Sequence, residues 1–271
     1  MGDGADLHIH SNASDGALSP AEILAEAIKK GLEAVAITGH DTLAGWKVAD
    51  ASPLSQEILL LPALEINTEV QQKEVHILGY CFRETELLER ELEELRQARW
   101  ERAKKMLGKL QDMGLEVSWA SLLRLAGEAA PGRLHLARAL VECGEASSIR
   151  QAFAAYLLPG GPAYVPRHRL TPQEAIFRIR AAGGVAVLAH PGTGVSDELI
   201  TLLADEGLQG LEVYHPAHNA SDIVHYLRLA EHYDLLVTGG SDYHGFEPGI
   251  SCIGKWTVPM ESIEKLYRLR N

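Results

Sequence analysis

The sequence has no long apolar run, few cysteines and a shortage of positive charge. No stretch approaches the roughly 18 apolar residues that a membrane helix needs, so no membrane span is predicted. The N-terminus lacks the basic and then apolar pattern of a secretory signal, which favours a cytoplasmic location. Cys81, Cys143 and Cys252 show no paired spacing, and we expect them to be reduced thiols rather than disulfides or a metal cluster.

The charge balance excludes a class of partners. Lys and Arg number 25 against 37 Asp and Glu, a formal net charge of −12. Such a surface repels long polyanions, so the protein is not predicted to bind long nucleic acid. A small phosphorylated substrate remains compatible if positive charge is concentrated at one site. The sequence makes no prediction about oligomeric state.

The order of predicted elements indicates an α/β protein. Short β-branched runs alternate with helical patterns, which is typical of βαβ units with a parallel sheet. In the first unit, the strand "ADLHIH" precedes a helix with Ser19 as N-cap, Pro20 in its first turn, Glu22 completing a capping box and Gly31 as its stop.

A helical stretch interrupts this alternation. From Glu84 to Asp112 the sequence predicts a long, highly charged helix, broken at most once, and further helical patterns follow to about Pro159. The alternation of helices and strands resumes after an extended connector. We therefore predict a barrel-like domain over residues 1–96 and 168–271, with a helical insertion at 97–167 that caps the substrate site.

Acidic residues and histidines recur where the predicted strands end. In parallel α/β barrels these ends form one face, and that face holds the active site. A single histidine there is usually a satisfied core residue, but most of the strands end in His, Asp or Glu, and burying so many polar groups without partners is costly. The candidates are His8, His10, Asp15, His40, Glu65, His76, His190, Asp242 and His244.

Imidazoles and carboxylates without thiolates indicate a catalytic rather than a structural metal site. This ligand chemistry suits Mn, Fe or Zn. One ion takes three or four protein ligands, so nine candidates with one bridging carboxylate fit three divalent ions. Water bound to such ions loses a proton near neutral pH and becomes a nucleophile, and paired ions neutralise phosphoryl charge.

Five separated motifs resemble the PHP (polymerase and histidinol phosphatase) family. They are "DLHIHSNASDG", "ITGHD", "ALEINTEVQQKEVHILGY", "VAVLAHP" and "GGSDYHG". The resemblance covers nearly the whole chain. It implies a distorted (β/α)7 TIM-like barrel with a helical insertion, and a two- or three-metal centre that hydrolyses phosphoesters.

The resemblance also implies a division of the ligands among the ions. One ion would take His8, His10, Glu65 and Asp242; a second would take Asp15, His40 and His244; a third would take His76 and His190, with Glu65 bridging. Asp6 would orient a ligand imidazole rather than bind metal. The sequence departs from the family at Gly39, where an Asp is usual, and this change could relax ligand orientation.

Within the family, the helical insertion with "GRLHLARAL" looks most like nucleoside 3′,5′-bisphosphate phosphatases, some of which also trim short RNA from the 5′ end. The resemblance thus implies a metal-dependent phosphatase that acts on a nucleotide bisphosphate or a short oligonucleotide by a metal-bound hydroxide. Two alternatives stay open. One is histidinol-phosphate phosphatase, and the other is a non-catalytic accessory module stabilised by metal.

The substrate-contacting residues are predicted less directly. Guanidinium groups suit bidentate phosphate binding, and the candidates on the insertion are Arg99, Arg102, Arg133 and His135. Arg99 and Arg102 also fit a solvated face of a charged helix. His215 and His218 follow a predicted strand. We predict that His215 protonates the leaving oxygen and that His218 contacts substrate, with a local helix cap as the alternative for both.

Overall fold

The protein, seen in a computed structural model, forms two compact units. The first unit contains residues 1–91 and 170–271, and the second contains residues 92–169. The structure describes residues 4–71, 73–127, 130–166, 170–245 and 252–270. Within these described ranges, no helix combines the length and apolar character needed to cross a membrane.

The first unit is built on eight strands in the part of the chain described. They are β1 (Ala5–Ile9), β2 (Ala34–Ile37), β3 (Leu59–Leu61), β4 (Ala63–Val70), β5 (Lys73–Tyr80), β6 (Val185–Leu188), β7 (Gly210–Tyr214) and β8 (Leu236–Gly239). They form a parallel three-stranded sheet in the order β1-β2-β3 and a five-stranded sheet in the order β4-β5-β6-β7-β8.

Helices surround these sheets and make up the second unit. In chain order the α-helices are α1 (Pro20–Lys29), α2 (Ala44–Asp50), α3 (Glu86–Asp112), α4 (Trp119–Ala126), α5 (Arg133–Glu142), α6 (Ile149–Ala152), α7 (Pro172–Ala181), α8 (Asp197–Asp205), α9 (Ala220–His232) and α10 (Met260–Leu269). Short 3₁₀ segments cover Pro53–Gln56 and Pro191–Thr193, and a π-helical segment covers Phe153–Leu157.

The local signals of the first helix act as the sequence predicts. The Ser19 side chain accepts a hydrogen bond from the amide of Glu22, and the Glu22 carboxylate accepts one from the amide of Ser19. Pro20 occupies the first turn, where its missing N–H costs nothing. Gly31 follows the last residues of the helix at φ +78°, a conformation that favours glycine and turns the chain toward β2.

The prediction of a parallel sheet is wrong at two pairings. Strands β4 and β5 are antiparallel, and so are β5 and β6. Only residues 71 and 72 separate β4 from β5, and a parallel crossover needs about a dozen residues or more. The predicted third strand is also split, because Pro62 separates β3 from β4, and the two halves lie in different sheets.

Isolated backbone bridges join the two sheets near the strand ends that carry the polar motifs. Ile9 bridges to Tyr243, and His40 bridges to Glu65, both in parallel sense. Apolar side chains such as Leu7, Leu61 and Val187 fill the core between strands and helices. The bridges therefore bring the ends of β1 and β2 beside β4 and the segment after β8.

The second unit is helical and has its own core. Helix α3, part of which lies in the first unit, is unbroken over 27 residues, so it lacks the interruption that its charged sequence allowed. The core of the second unit includes the buried side chains of Met106, Leu110, Leu122 and Leu136. Of the connector predicted as extended, the part up to residue 166 is described and contains no helix or strand, and 167–169 lie outside the described residues.

Candidate metal centre

The nine residues that the sequence singles out at strand ends lie together in the first unit. Three overlapping groups of their side chains place one ligand atom each within 4.8 Å of the others. The groups are His10, Asp15, His40 and His244; His8, His10 and Glu65; and His40, Glu65 and His76. His190 and Asp242 join the same cluster through close contacts with Glu65 and with His8 and His10.

Strand geometry explains why the first histidines meet. His8 lies in β1, and His10 lies just beyond its end, so both side chains project from the same face. Both are fully buried, and their Nε2 atoms are 3.1 Å apart. Two nitrogens bound to one tetrahedral ion at about 2.0–2.1 Å lie about 3.3 Å apart, so this spacing fits a shared ion.

Glu65 is the centre of the cluster. One of its oxygens, Oε2, lies 3.4 Å from His8 Nε2, 3.2 Å from His10 Nε2 and 3.1 Å from His40 Nδ1. The other, Oε1, lies 2.9 Å from His76 Nδ1 and 3.1 Å from His190 Nε2. A carboxylate whose two oxygens face different sets of imidazoles is suited to bridge two ions.

The position of Glu65 opposite His76 follows from strand pairing. Glu65 is paired with Leu78 in the antiparallel β4–β5 ladder, so His76 is its diagonal neighbour on the same face. Diagonal neighbours on adjacent strands are within reach of each other's side chains. His76 Nε2 is buried and has no hydrogen-bond partner within the described residues, as expected of an atom that a bound ion would satisfy.

Asp242 and Asp15 are the two other carboxylates of the cluster. Asp242 Oδ1 lies 3.3 Å from His8 Nε2 and 3.2 Å from His10 Nε2. Asp15 approaches His10, His40 and His244 at 3.3, 3.6 and 3.7 Å. Asp242 adopts φ +47°, and His190 adopts φ +28°, conformations that non-glycine residues rarely take and that concentrate at functional sites.

The electrostatics of the cluster keep its acids ionised. Burial opposes charge on Glu65, but His40, His76 and His8 lower its pKa well below its usual range. Burial likewise disfavours the charged form of His8, yet Glu212, Asp242 and Glu65 raise its pKa well above the ordinary value. This environment favours a proton on His8, and a divalent cation can take the place of that proton.

Glu212 contacts two of the ligand candidates, and the motifs did not identify it. Its Oε1 lies 3.0 Å from His8 Nδ1, and its Oε2 accepts a hydrogen bond of 2.8 Å from the amide of His190. It therefore fixes the ring of one ligand candidate and the backbone of another, as carboxylates commonly do around metal sites. The signal was an acidic residue inside the apolar strand "GLEVY".

Asp6 has a different role from the one expected. Its carboxylate accepts hydrogen bonds from the amides of Ser241 at 2.9 Å and Gly254 at 2.8 Å, with a longer contact of 3.4 Å to the amide of His8. It touches no ligand imidazole ring in these bonds. Burial raises the pKa of Asp6 to about 6. Asp6 therefore ties backbone segments together around the cluster.

The two histidines after β7 differ in their surroundings. His215 Nδ1 accepts from the amide of Ala217, so the ring proton lies on Nε2, 3.3 Å from Asp242 Oδ2. His218 is held at both nitrogens: Nδ1 donates to Val213 O at 2.8 Å, and Nε2 accepts from the amide of Gly192 at 3.0 Å. His218 therefore anchors the turn that follows His190.

The predicted phosphate-binding residues lie in the second unit. Arg102 is buried, donates to the carbonyl of Val165 and lies over the ring of Tyr164. Arg133 begins α5 with its guanidinium 5.7 Å from the Phe153 ring centroid. His135 is buried and accepts from the amide of Gly132. Arg99 reaches the same turn, since one of its guanidinium nitrogens would lie 3.1 Å from a Cβ at Gly132.

Comparison with known proteins places this cluster in a family. Residues 6–88 match the PHP domain. The chain is 33% identical to the 3′,5′-nucleoside bisphosphate phosphatase of Chromobacterium violaceum over 88% of its own length and 86% of the relative. It is 34% identical to the 5′-3′ exoribonuclease Rnm of Escherichia coli over 97% of its own length and 92% of that protein.

A solved structure agrees with these relatives. It belongs to a predicted metal-dependent phosphoesterase of Bifidobacterium adolescentis, with a TM-score of 0.90 and 31% identity, covering 100% of this chain and 98% of the other. The chain thus resembles these proteins in sequence and fold over most of its length, and it has a cluster of imidazoles and carboxylates that is able to hold metal. The chain belongs to the PHP family and is a metal-dependent phosphoesterase.

Proposed function

We propose that the protein removes the 3′-phosphate of nucleoside 3′,5′-bisphosphates, with short RNA oligonucleotides as a second class of substrate. The observation that carries the reaction is Glu65, whose two oxygens face separate sets of imidazoles. The substrate class is supported by the relatives named as a nucleoside bisphosphate phosphatase and an exoribonuclease.

Three divalent ions fit the donor set. His8, His10, Glu65 and Asp242 would hold one ion; Asp15, His40 and His244 a second; and His76 and His190, with Glu65 shared, a third. Mn, Fe or Zn suits such imidazole and carboxylate donors. When bound, these ions lower the pKa of water to about 7 and neutralise charge on the phosphoryl group.

The chain's own residues then hold the geometry and handle the proton. Glu212 keeps His8 in orientation, and His218 holds the turn after His190. His215 Nε2 faces Asp242, so the imidazolium form of this ring is placed to donate its Nε2 proton to the departing alcohol oxygen and to return to the neutral ring. No side chain has to form a covalent intermediate.

We further propose that the two sheets of the first unit form one distorted barrel. The single bridges Ile9–Tyr243 and His40–Glu65 support the barrel, because they join both sheets at the strand ends. Arg99 and His135 contact the turn at Gly132, and Arg133 follows that glycine in sequence, which supports these three residues as a cationic clamp for the phosphate that is not cleaved.

A substrate panel on metal-reconstituted protein tests the proposal. Adenosine 3′,5′-bisphosphate, a short 5′-phosphorylated RNA and histidinol phosphate are compared by phosphate release and product chromatography. We expect the bisphosphate to have the highest kcat/KM and to yield adenosine 5′-monophosphate. Preference for histidinol phosphate would assign that activity instead, and no metal-dependent turnover of any phosphoester would indicate a non-catalytic module.

A further inference from the structure

A cavity of about 580 Å³ adjoins the metal centre within the first unit. Its lining includes the ligand candidates Asp242 and His244 and the neighbouring His215. It also includes Lys255 and Trp256, which belong to no motif of the metal centre. Cavities of this size hold small molecules, so a substrate with its phosphate at the metal centre has room here for its remaining atoms.

The wall that carries Lys255 and Trp256 is tied to the metal centre by Asp6. The buried Asp6 carboxylate binds the amide of Ser241, the residue before Asp242, and also the amide of Gly254, the residue before Lys255. One side chain therefore fixes a ligand candidate and the cavity wall relative to each other. This arrangement suits a binding site, because the fold fixes the distance between the cavity wall and a phosphate bound at the metal centre.

The lining chemistry favours a flat ring on an anionic molecule. Pro216 and Ala217 provide apolar surface, and burial raises the pKa of the Cys252 thiol, which keeps that wall neutral. Trp256 is half-buried and presents an indole, the side chain with the largest stacking surface. Lys255 is exposed and cationic, so it attracts phosphate.

We propose that this cavity is a nucleobase subsite, in which Trp256 stacks on the base and Lys255 attracts the phosphates. The inference rests on the proposed function and names the part of the nucleotide that the protein recognises. Stacking on an indole is tolerant of base identity, because every base has a π face. The protein therefore selects nucleotides over phosphoesters without a ring and accepts purines and pyrimidines alike.

Two substrates that differ only in the base test the stacking. They are adenosine 3′,5′-bisphosphate and the abasic 1-deoxyribose 3,5-bisphosphate; p-nitrophenyl phosphate is unsuitable, because its ring can also stack. We expect Trp256→Leu to lower kcat/KM about tenfold for adenosine bisphosphate and less than about twofold for the abasic compound. Trp256→Phe keeps a ring and retains most of the preference.

Matched variants separate stacking from other effects. Trp119→Phe, in the second unit, removes a half-buried tryptophan outside the cavity and leaves both substrates unchanged. Lys255→Met raises KM about equally for both bisphosphates, and the increase shrinks at high salt, because an exposed charge is screened. Equal losses on both substrates in Trp256→Leu, or no loss on either, would overturn the stacking, and an unchanged KM in Lys255→Met at low salt would overturn the role of the cation.

Binding without turnover distinguishes failure of the subsite from failure of the proposed function. Adenosine 5′-monophosphate is titrated into chelator-treated protein while tryptophan fluorescence is recorded. Quenching is expected in the wild type and in Trp119→Phe, and its loss is expected in Trp256→Leu. Quenching that persists in Trp256→Leu rules out the subsite. A wild type that hydrolyses no nucleotide but shows the expected quenching refutes the proposed function and supports the subsite.

Discussion

The hydroxyl of Ser14 accepts a hydrogen bond of 3.0 Å from the amide of His40 and donates one of 2.9 Å to Asp15 Oδ1. It thereby links two ligand candidates of the same group. A Cβ on Gly39 would lie 3.3 Å from the Cβ of Ser14 and 3.0 Å from Thr42 Cγ2. Glycine at this position leaves Ser14 undisturbed.

Ser14→Ala should weaken metal binding without unfolding the protein. The substitution removes the bond to Asp15 and leaves the His40 amide without its partner, while the strands are untouched. Hydrogen-bonding partners of metal ligands typically contribute about 10- to 100-fold in affinity. Calorimetric titration should show a loss of about tenfold at one of the sites. Ser55→Ala, in the 3₁₀ segment Pro53–Gln56, is the control, and equal affinity in Ser14→Ala would remove Ser14 from the set of positioning residues.

Glu65→Gln should have a larger effect, because Glu65 faces both sets of imidazoles. The amide keeps the size of the side chain but removes the charge and half of its acceptor capacity. We expect fewer bound ions per chain and a fall in kcat of at least about a hundredfold. Elemental analysis and phosphate release measure the two effects. The exposed Glu57→Gln serves as control, and full metal content in Glu65→Gln would contradict the bridging role.

The sequence predicts that the candidate side chains lie close together, as they do in the structure, because two simple rules apply to them. Alternate residues of a strand share a face, which pairs His8 with His10, and the polar residues interrupt otherwise apolar runs. The antiparallel pairing of β4 with β5 is not predicted, because it depends on a two-residue connection rather than on periodicity. The split at Pro62 is missed for a similar reason, since "ILLLPALEIN" reads as one apolar run.

Long-range partners are the part that no local pattern shows. Glu212 contacts His8 across 204 positions of sequence, and Asp6 contacts Gly254 across 248. The acidic residue in "GLEVY" indicates a buried charge, but the partner of that charge depends on which strands become neighbours. Trp256 and Lys255 carry no motif at all, and only the folded chain places them beside Asp242.

Metal affinity should rise with pH. Carboxylates raise the pKa of His8 and His10 above the ordinary value despite their burial, which favours protonation of these rings in the metal-free protein. An ion must displace these protons, and raising the pH removes the competition. Calorimetry in buffers of different ionisation enthalpy should detect proton release on Zn²⁺ binding. Affinity that is constant from pH 6 to 8, with no proton released, would contradict this reasoning.

His40→Ala should abolish most activity and leave the fold intact. His40 belongs to two of the three ligand groups, so its loss affects more than one ion. The side chain lies beyond β2 rather than in the apolar core, and we expect the circular dichroism spectrum to be unchanged. The control is His225→Ala, which removes an exposed imidazole paired with Asp197 on the surface. Wild-type turnover in His40→Ala at saturating metal would show that His40 is not essential.

Arg133→Ala should distinguish substrates that carry one phosphate from those that carry two. The metal centre accounts for the phosphate that is cleaved, and Arg133, at the start of α5 beside Arg99 and His135, is our candidate for the other. A lost charge-assisted contact costs roughly 1.5–3 kcal/mol, or about ten- to a hundredfold in kcat/KM. We expect this loss for adenosine 3′,5′-bisphosphate and little change for adenosine 3′-monophosphate.

The control for this experiment is Arg124→Ala, which removes another arginine of the second unit, one that pairs with Glu142 on its surface. It should leave both substrates unaffected. Equal losses on the two substrates in Arg133→Ala would place Arg133 at the reacting phosphate or in folding, and thermal unfolding of the variant separates these two cases. If neither substrate is affected, Arg133 does not bind the second phosphate, which must be bound elsewhere.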